Sequence, residues 1–361
     1  MKISIDCRMI NSSGIGVYLC GILPFFLQSE NEFLLLGNPA QLQSYSSYTN
    51  VKIINCNVKT FSIKELLFFP AGIAKQINKT DVYFSPFFNI PCGIKIPVYT
   101  VIHDIIFPDM PELLSKTGLA ARMWFFRRAY KKSKKIFTVS EFSKSRIEYH
   151  LGVKKQVIVT HSAVQPVFFE FMGNARNIKK EETVIFIGNI KKHKGIDCLL
   201  DAFHLAKKEG LPHKLIIIGS KENFRTGDNA VLQKIDTLGS ETVSFTGFIS
   251  DEQLMEHLAQ AALLVQPSLY EGFGLPPLEA MILGTHALIS DIPVFKEIYN
   301  GFPVTFFHAG DCKNLKDKMM ELLFEKAVPV VSLQKNLTEK YSFDKTAAVI
   351  LQNLSMGKEQ I

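Results

Sequence analysis

Short apolar runs alternate with helix-forming segments along most of the chain, and this alternation limits the fold more than any other feature. Ile3 to Cys7, Val98 to Ile102 and Thr183 to Gly188 have the composition of buried strands. Parallel strands need a crossover between them, usually a helix. The pattern therefore predicts an α/β protein with parallel sheets. With 361 residues, 47% of them hydrophobic, the chain is long enough for two such domains.

A polar, aperiodic segment divides the chain. It runs from Phe168 to Glu182 and predicts a linker between two domains. The expected first domain covers residues 1–168, and the expected second domain covers residues 183–339. Residues 220–228 form a predicted polar loop in the second domain. A terminal helix is expected within 340–361.

The most informative stretch is Gln266 to Gly284. An apolar strand, Ala261 to Val265, precedes it, and Pro276 and Pro277 stand in the first turn of the helix that follows. Proline is well placed there because the first helical amides have no partner inside the helix. The stretch is thus predicted to be a strand, a loop and a helix. The alternative to a ligand site is that these elements have a structural role only.

The loop of this stretch has the chemistry of an anion site. Gly272 and Gly274 let the backbone approach a ligand, and the amides of Phe273 to Leu275 can point at an anion near the helix start. Glu271 and Glu279 bracket the loop. The helix dipole favours an ionised Glu279, which would accept hydrogen bonds from paired hydroxyls such as those of a ribose. Turn chemistry does not require two carboxylates here.

This stretch resembles a known family. Ser268-Leu-Tyr-Glu-Gly-Phe-Gly-Leu-Pro-Pro-Leu-Glu-Ala-Met281 is similar to the E-x7-E signature of retaining nucleotide-sugar glycosyltransferases of glycosyltransferase family 4. The resemblance covers most of the chain and is thinnest over residues 25–95. It implies the GT-B architecture, two Rossmann-like domains facing across a cleft, with the terminal helix folded back onto the first. It also implies that Glu271 contacts the sugar and that Phe273, Gly274, Leu275 and Glu279 contact the donor.

Two glycines follow the first strand. Gly14 and Gly16 stand in a predicted strand-to-helix turn, with the helix starting near Val17. Glycines in turns are common, so alone they leave a phosphate or sugar site and a plain turn equally open. The family has a similar Gly-Ile-Gly-x-Tyr loop, which implies that both glycines face the donor diphosphate and the acceptor.

A histidine ends the strand Val98 to Ile102. A lone histidine at a strand end is more often structural, although ligands of open α/β sheets bind at the carboxyl ends of strands. Val101-Ile-His-Asp-Ile105 is similar to the His-Asp element of the family, which implies that His103 contacts the donor sugar. Asp104 is expected to support the loop by local hydrogen bonds.

The second domain opens with a basic loop. Asn189-Ile-Lys-Lys-His-Lys-Gly195 joins a strand to a helix. Either a diphosphate clamp or a solvated run of charges fits this pattern. By resemblance Lys194 contacts the diphosphate. The family often has an arginine at the position of Asn189, so one phosphate cation is unassigned, with Lys191 or Lys192 as replacements. Phe248, in the turn after a later strand, is implied to lie near the nucleobase.

Two further segments combine apolar and basic side chains. Residues 121–135 would present a cationic helix face to an anionic membrane or lipid diphosphate, or simply to solvent. Residues 64–75 are expected to pack as a core helix rather than to touch a membrane. The formal charge of +7 favours anionic partners. Nucleic acid is not expected, because no recognised module accompanies the charges.

The six cysteines are scattered without a C-x-x-C pair. This fits a reducing compartment and argues against a zinc or disulfide framework. No signal peptide and no apolar run long enough to span a bilayer are present. The expected location is therefore cytoplasmic, with the inner face of the membrane as an option. No cofactor is expected. No Asp-x-Asp signature stands at a strand end, so no metal is expected either.

The sequence thus predicts a retaining hexosyltransferase that uses a nucleoside diphosphate sugar, with GDP-mannose weakly favoured, and a glycan or lipid-linked acceptor. A non-catalytic nucleotide-sugar-binding subunit is the main alternative. An NAD-dependent oxidoreductase is disfavoured, because Gly14-Ile-Gly16 lacks the third glycine of the dinucleotide fingerprint. A nucleotide-sugar epimerase of the same architecture remains open, although the Glu271/Glu279 motif favours transfer.

Overall fold

The structure, a computed structural model, describes residues 1–175, 178–219, 229–324 and 339–355. The chain forms two compact units. The first comprises Met1–Ala163 together with the segment that begins at Tyr341, and the second is Val164–Lys340. The predicted loop 220–228 and the last six residues of the predicted terminal helix lie outside the described residues.

The first unit contains a seven-stranded parallel sheet with strand order β3-β2-β1-β4-β5-β6-β7. Its strands are β1 (Lys2–Asp6), β2 (Glu32–Gly37), β3 (Val51–Asn55), β4 (Val82–Ser85), β5 (Val98–Val101), β6 (Ser133–Thr138) and β7 (Val157–Val159). Its helices are α1 (Ser13–Leu27), α2 (Ile63–Leu67), α3 (Ala71–Ile77), α4 (Ile106–Asp109), α5 (Lys116–Lys132) and α6 (Glu141–Leu151).

The second unit contains a six-stranded parallel sheet with order β10-β9-β8-β11-β12-β13. Its strands are β8 (Thr183–Ile187), β9 (Lys214–Ile218), β10 (Val243–Gly247), β11 (Leu263–Gln266), β12 (Ala287–Ser290) and β13 (Val304–Phe307). Its helices are α7 (Pro166–Ala175), α8 (Ile196–Lys208), α9 (Asn229–Leu238), α10 (Asp251–Gln260), α11 (Pro276–Ile282), α12 (Pro293–Ile298) and α13 (Cys312–Phe324).

Both sheets reverse their winding direction next to the first strand of the unit. The reversal lies between β1 and β4 in the first unit and between β8 and β11 in the second. This order is that of doubly wound Rossmann-like domains, which bind ligands outside the carboxyl ends of the strands at the reversal. The predicted α/β class with two Rossmann-like domains of parallel strands is confirmed.

Apolar strands and amphipathic helices form the core of each unit. In the second unit, Phe186 on β8, Leu263 on β11 and Phe203 on α8 are fully buried in one cluster. Such strands are hydrophobic on both faces because helices cover both faces of a parallel sheet. All six cysteines are free thiols.

The terminal helix α14 (Phe343–Ser355) lies against α1 in the first unit. A side chain at Gly21 of α1 would overlap the ring of Phe343, so glycine permits this close approach. Thr346 donates a hydrogen bond to the carbonyl oxygen of His161 at 2.6 Å. Lys135 donates to Asn353 at 2.8 Å, which ties the end of α14 to β6.

Three local predictions were wrong. The linker expected at 168–182 is partly helical, because α7 (Pro166–Ala175) packs on α10 and α11. Residues 64–75 do not form one helix. Pro70 lacks an amide hydrogen and disfavours helix in the residue before it, so the segment splits into α2 and α3. Helix α1 starts at Ser13 rather than near Val17.

Candidate active site

Two loops of the second unit meet beside the reversal between β8 and β11. One loop follows β8 and contains a short 3-10 helix, Lys192–Lys194, and the other follows β11 and begins at Pro267. The carbonyl oxygen of His193 accepts a hydrogen bond from the amide of Leu269 at 2.7 Å. The basic loop and the glutamate loop are therefore in direct contact at the sheet edge where such folds bind ligands.

Gly195 makes this contact possible. Its φ of +68° lies in the left-handed region, and a Cβ atom there would overlap the carbonyl oxygen of Pro267. Any other residue would be strained in conformation and would also push the two loops apart. Lys194 immediately precedes this glycine, so its position depends on the close approach.

Lys194 and Glu271 form an ion pair across the two loops. The ammonium nitrogen lies 2.7 and 2.8 Å from the two carboxylate oxygens of Glu271. The two side chains are only 22% and 10% exposed, so water screens this pair weakly. The structure thus brings together one residue predicted for the diphosphate and one predicted for the sugar.

A series of hydrogen bonds from buried polar residues supports the carboxylate of Glu271. Ser268 donates a hydrogen bond to Oε1 of Glu271 at 2.7 Å, and Gln266 donates to the hydroxyl of Ser268 at 3.1 Å. Ser290 on β12 donates to the carbonyl oxygen of Ser268 at 2.5 Å. Gln266, Ser268 and Ser290 are fully buried, so they fix the direction of the Glu271 carboxylate.

Sequence reasoning missed this support, although Gln266 and Ser268 stand within the motif. The available signal was a glutamine and a serine at the carboxyl end of a strand that is otherwise apolar. The sequence interpretation counted His193 as a potential cation of the basic loop, whereas its ring Nδ1 is buried and has no hydrogen-bond partner among the described residues. Burial, with a smaller effect of Lys194, lowers the pKa of His193 to about 4. His193 is therefore neutral at physiological pH.

The glycine loop ends in helix α11, with Pro276 and Pro277 in its first turn as predicted. Gly274 has a φ of +82°, and a Cβ atom there would overlap the ring of Phe295. Its carbonyl oxygen accepts a hydrogen bond from the hydroxyl of Tyr299. Phe273 is buried. The requirement for glycine at position 274 thus comes from packing against α12, whether or not a ligand approaches.

Burial opposes the ionised state that the helix dipole was expected to favour at Glu279. Burial, and to a lesser extent the charge of Asp251, raises the pKa of Glu279 to about 7. A helix dipole stabilises an anion by roughly 0.3–1 kcal/mol, less than one pKa unit. In the seven-residue α11, removing the Glu279 carboxylate from water costs more than the helix dipole returns. Glu279 does stand in the first turn of α11, and its contact with a ribose stays a prediction.

Phe248 lies apart from the Lys194–Glu271 pair. It follows β10, the edge strand, and β9 and β8 separate β10 from β11. The side chain is 84% exposed and lines a cavity of about 650 Å³ along β10 and the end of α9. Such an exposed ring is free to stack on a base, which stays a prediction.

The remaining predicted residues belong to the first unit. His103 follows β5, and its Nε2 lies 2.9 Å from the carbonyl oxygen of Pro86 in the loop after β4. A carbonyl oxygen only accepts, so Nε2 carries the proton and Nδ1 is left as an acceptor. Burial lowers the pKa of His103. Tyr18 of α1 meets the ring edge-on at a centroid distance of 5.0 Å. Asp104 accepts from the amide of Ile106 at 3.1 Å, as expected.

Gly14 and Gly16 lie in the first turn of α1, not in a turn before it. A Cβ atom at Gly16 would overlap the carbonyl oxygen of Ile10, so a plain packing requirement accounts for glycine there. A Cβ atom at Gly14 would meet nothing within 4 Å. Packing therefore gives no reason for glycine at position 14.

No metal site and no membrane-spanning helix are found in the described ranges. No group of three or more histidine, cysteine or acidic side chains there could hold a metal ion. No helix there is long and apolar enough to cross a membrane.

The fold and the loop geometry define a class, the two-domain α/β proteins with the GT-B fold. Residues 168–340 match the family described as glycosyl transferases group 1. This match covers nearly all of the second unit, Val164–Lys340, and just under half of the chain.

Similar proteins carry mannosyltransferase names. O-antigen chain mannosyltransferase B of Escherichia coli is 28% identical over 236 residues, which are 61% of this chain and 59% of that protein. O-antigen chain mannosyltransferase RfbU of Salmonella typhimurium is 25% identical over 263 residues, 71% of this chain and 69% of that protein. The match thus spans less than two thirds of the first relative.

A solved structure supports the fold. HepE of Anabaena in complex with UDP-glucose superposes with a TM-score of 0.71, at 18% identity, over 99% of this chain and 100% of that one. At this identity the likeness shows the shared fold alone.

Proposed function

We propose that the protein is a retaining glycosyltransferase that moves a hexosyl group from a nucleoside diphosphate sugar to a glycan or lipid-linked acceptor. The observation that carries the proposal is the Lys194–Glu271 pair at the reversal between β8 and β11. A cation and a carboxylate held at this edge supply one group for a diphosphate and one for sugar hydroxyls.

In the proposed binding mode, Lys194 turns from Glu271 to the diphosphate of the donor. Glu271, held by Ser268, then accepts hydrogen bonds from the sugar. Glu279 accepts from the ribose hydroxyls, and the amides of Phe273 to Leu275 add to the phosphate contacts. For the first unit, we assign His103 to the donor sugar, with Nδ1 as the acceptor atom.

In the proposed reaction, the bond between the anomeric carbon and the diphosphate oxygen breaks first. Lys194 and the loop amides stabilise the negative charge that develops on the leaving diphosphate. The acceptor hydroxyl attacks the anomeric carbon from the face that the diphosphate leaves, and its proton passes to the leaving phosphate oxygen. The anomeric configuration is retained without a covalent intermediate on a side chain. No metal ion takes part in this scheme.

Mannose is the sugar that the comparisons favour. The two relatives named above are O-antigen chain mannosyltransferases. We therefore propose GDP-mannose as donor and a growing surface polysaccharide, carried on a lipid, as acceptor.

The test is release of nucleoside diphosphate from a panel of donors in the presence of EDTA, with and without a crude lipid-linked acceptor. The proposal is supported if GDP-mannose is turned over, if acceptor stimulates this turnover, and if EDTA does not reduce it. The anomeric configuration of the product, measured by NMR, tests retention. Turnover only after a divalent cation is added contradicts the metal-independent scheme.

A non-catalytic donor-binding subunit is the second candidate, because the Lys194–Glu271 pair is compatible with donor binding alone. In that case one donor raises the melting temperature but is not consumed with any acceptor fraction.

A further inference from the structure

Helix α2 in the first unit turns apolar side chains to the solvent and buries its acidic one. Ile63, Leu67 and Phe68, which follows the helix directly, are 71%, 66% and 70% exposed, whereas Glu65 is fully buried. Surface helices normally turn apolar side chains inward and charges outward. The expectation that this segment packs its apolar side chains in the core was therefore wrong for α2.

Buried charges fix α2 in this orientation. Glu65 accepts from Arg8 Nη2 at 2.5 Å and from the amide of Phe61 at 2.8 Å. Arg8 also binds Asp6, with Nε at 2.8 Å from Oδ1. The side chains of Arg8, Asp6 and Glu65 are between 0% and 3% exposed. Turning α2 over would strand these charges without partners, which costs several kcal/mol. The apolar side chains consequently stay at the surface.

Aromatic contacts join helix α5, which has an exposed tryptophan, to the segment just before α2. The ring of Phe61, just before α2, lies 5.6 Å from the ring of Phe125 on α5. Trp124 is 5.2 Å from Phe125 between ring centroids and is 51% exposed. We call the surface formed by Ile63, Leu67, Phe68 and Trp124 the apolar patch.

Basic side chains accompany the apolar patch on both of its helices. The seventeen-residue α5 has no acidic residue, and the one acidic residue of α2 is the buried Glu65. Lys64, Arg127 and Lys131 are exposed, and the last two follow Trp124 at helical spacing. Two other arginines of α5 are structural. Arg122 lies over the rings of Phe61, Phe88 and Phe107, and Arg128 donates to the carbonyl oxygen of Ile90.

We propose that the apolar patch inserts into the surface of an anionic lipid bilayer, with Lys64, Arg127 and Lys131 binding the head groups. Aliphatic side chains enter the boundary between head groups and acyl chains, tryptophan favours the same depth, and lysine and arginine bind anionic lipids. The positive charge around the apolar patch complements such a surface. This inference does not depend on the proposed catalytic function.

The experiment is co-sedimentation of the full chain with vesicles, without donor or acceptor. Phosphatidylglycerol–phosphatidylethanolamine vesicles provide the anionic surface, and phosphatidylcholine vesicles provide the neutral one. The double variant Leu67→Ser/Phe68→Ser removes apolar insertion, and Arg127→Ala/Lys131→Ala removes charge. Matched controls remove exposed side chains elsewhere, Val153→Ser/Phe324→Ser and Lys79→Ala/Lys154→Ala.

The expected result is binding to anionic vesicles that high salt weakens, with affinity lowered about tenfold or more in each test variant and unchanged in each control. Circular dichroism melting curves check that all variants are folded. Failure of the wild-type protein to bind anionic vesicles overturns the proposal, as does equal binding by Leu67→Ser/Phe68→Ser. Concentration-dependent dimerisation that this variant abolishes, without vesicle binding, would assign the apolar patch to a second copy of the chain instead. If the wild-type protein turns over the donor but does not bind vesicles, the membrane proposal is refuted and the proposed catalytic function is not.

Discussion

The ammonium of Lys194 lies 2.7 and 2.8 Å from the two carboxylate oxygens of Glu271. A donor diphosphate must therefore compete with Glu271 for this cation. Because Ser268 holds Glu271 in place, we expect Lys194 to be the partner that moves. Donor binding would then release the Glu271 carboxylate for the sugar in the same step.

Replacement of Lys194 by alanine should weaken donor affinity by about 1–3 kcal/mol, the range for a charge-assisted hydrogen bond. Isothermal titration with a non-hydrolysed donor analogue measures this. Lys208→Ala is the matched control, since that lysine is exposed at the far end of α8, and Lys192→Ala tests the other candidate cation of the loop. Unchanged affinity in Lys194→Ala would remove the lysine from the diphosphate site. A loss confined to Lys192→Ala would give Lys192 the role of the missing arginine.

Replacement of Ser268 by alanine should lower turnover more than it changes donor affinity. The substitution removes one hydrogen bond to Glu271, worth about 1 kcal/mol, and leaves the Lys194 contact intact. Steady-state kinetics separate kcat from KM, and Ser268→Thr, which keeps the hydroxyl, should recover part of the rate. If both variants match the wild type, the orientation of Glu271 does not depend on Ser268.

The pH dependence of donor binding should follow Glu279. Its pKa is about 7 in the folded protein and 4.5 as the ordinary value, so ionisation in the folded state becomes complete only above neutral pH. A ribose bound to the ionised carboxylate favours that form, and affinity should rise between about pH 6 and pH 8. Glu279→Ala should weaken donor use by about 1–3 kcal/mol. A flat affinity profile that Glu279→Gln leaves unchanged would contradict the assignment.

The free energy of unfolding should also depend on the ionisation of Glu279. It should fall as pH rises, whereas donor affinity should rise. Because the folded pKa is raised, the folded state binds more protons than the unfolded state between pH 4.5 and about 7, and stability falls as pH rises through this window. Glu279→Gln should therefore raise the free energy of unfolding at about pH 8 by roughly 2 kcal/mol, discounted for residual solvent screening, and by much less at about pH 5. Urea unfolding at both pH values measures the difference.

A pair of glycine substitutions separates packing from ligand approach in α1. Gly16→Ala should destabilise the protein by more than about 1 kcal/mol, because its Cβ atom overlaps the carbonyl oxygen of Ile10. Gly14→Ala has free space and should leave the melting temperature nearly unchanged. If Gly14 faces the ligand, Gly14→Ala still loses activity. Full activity in Gly14→Ala would remove Gly14 from the site.

Much of the fold could be predicted from local sequence. The apolar runs indicated the strands, since Val98 to Ile102 contains β5 and Thr183 to Gly188 contains β8. Ser140 and Ser250 cap their helices and accept hydrogen bonds from the amides of Ser143 and Gln253, which are local contacts of the kind a serine before a helix indicates. These features depend on neighbouring residues, which is why the sequence is sufficient for them.

Within the candidate site, the sequence determined the residue types, the glycine loop and the proline start of α11. Only tertiary structure decided that Lys194 pairs with Glu271, because the two residues come from loops that meet through the close approach at Gly195. It likewise decided the charge of Glu279, since local dipoles favour ionisation whereas burial opposes it. The outward face of α2 was also decided there, because Arg8, far away in sequence, holds Glu65 inside. Helix periodicity reports which residues share a face, but the partners buried beneath the helix determine which face is turned to the solvent.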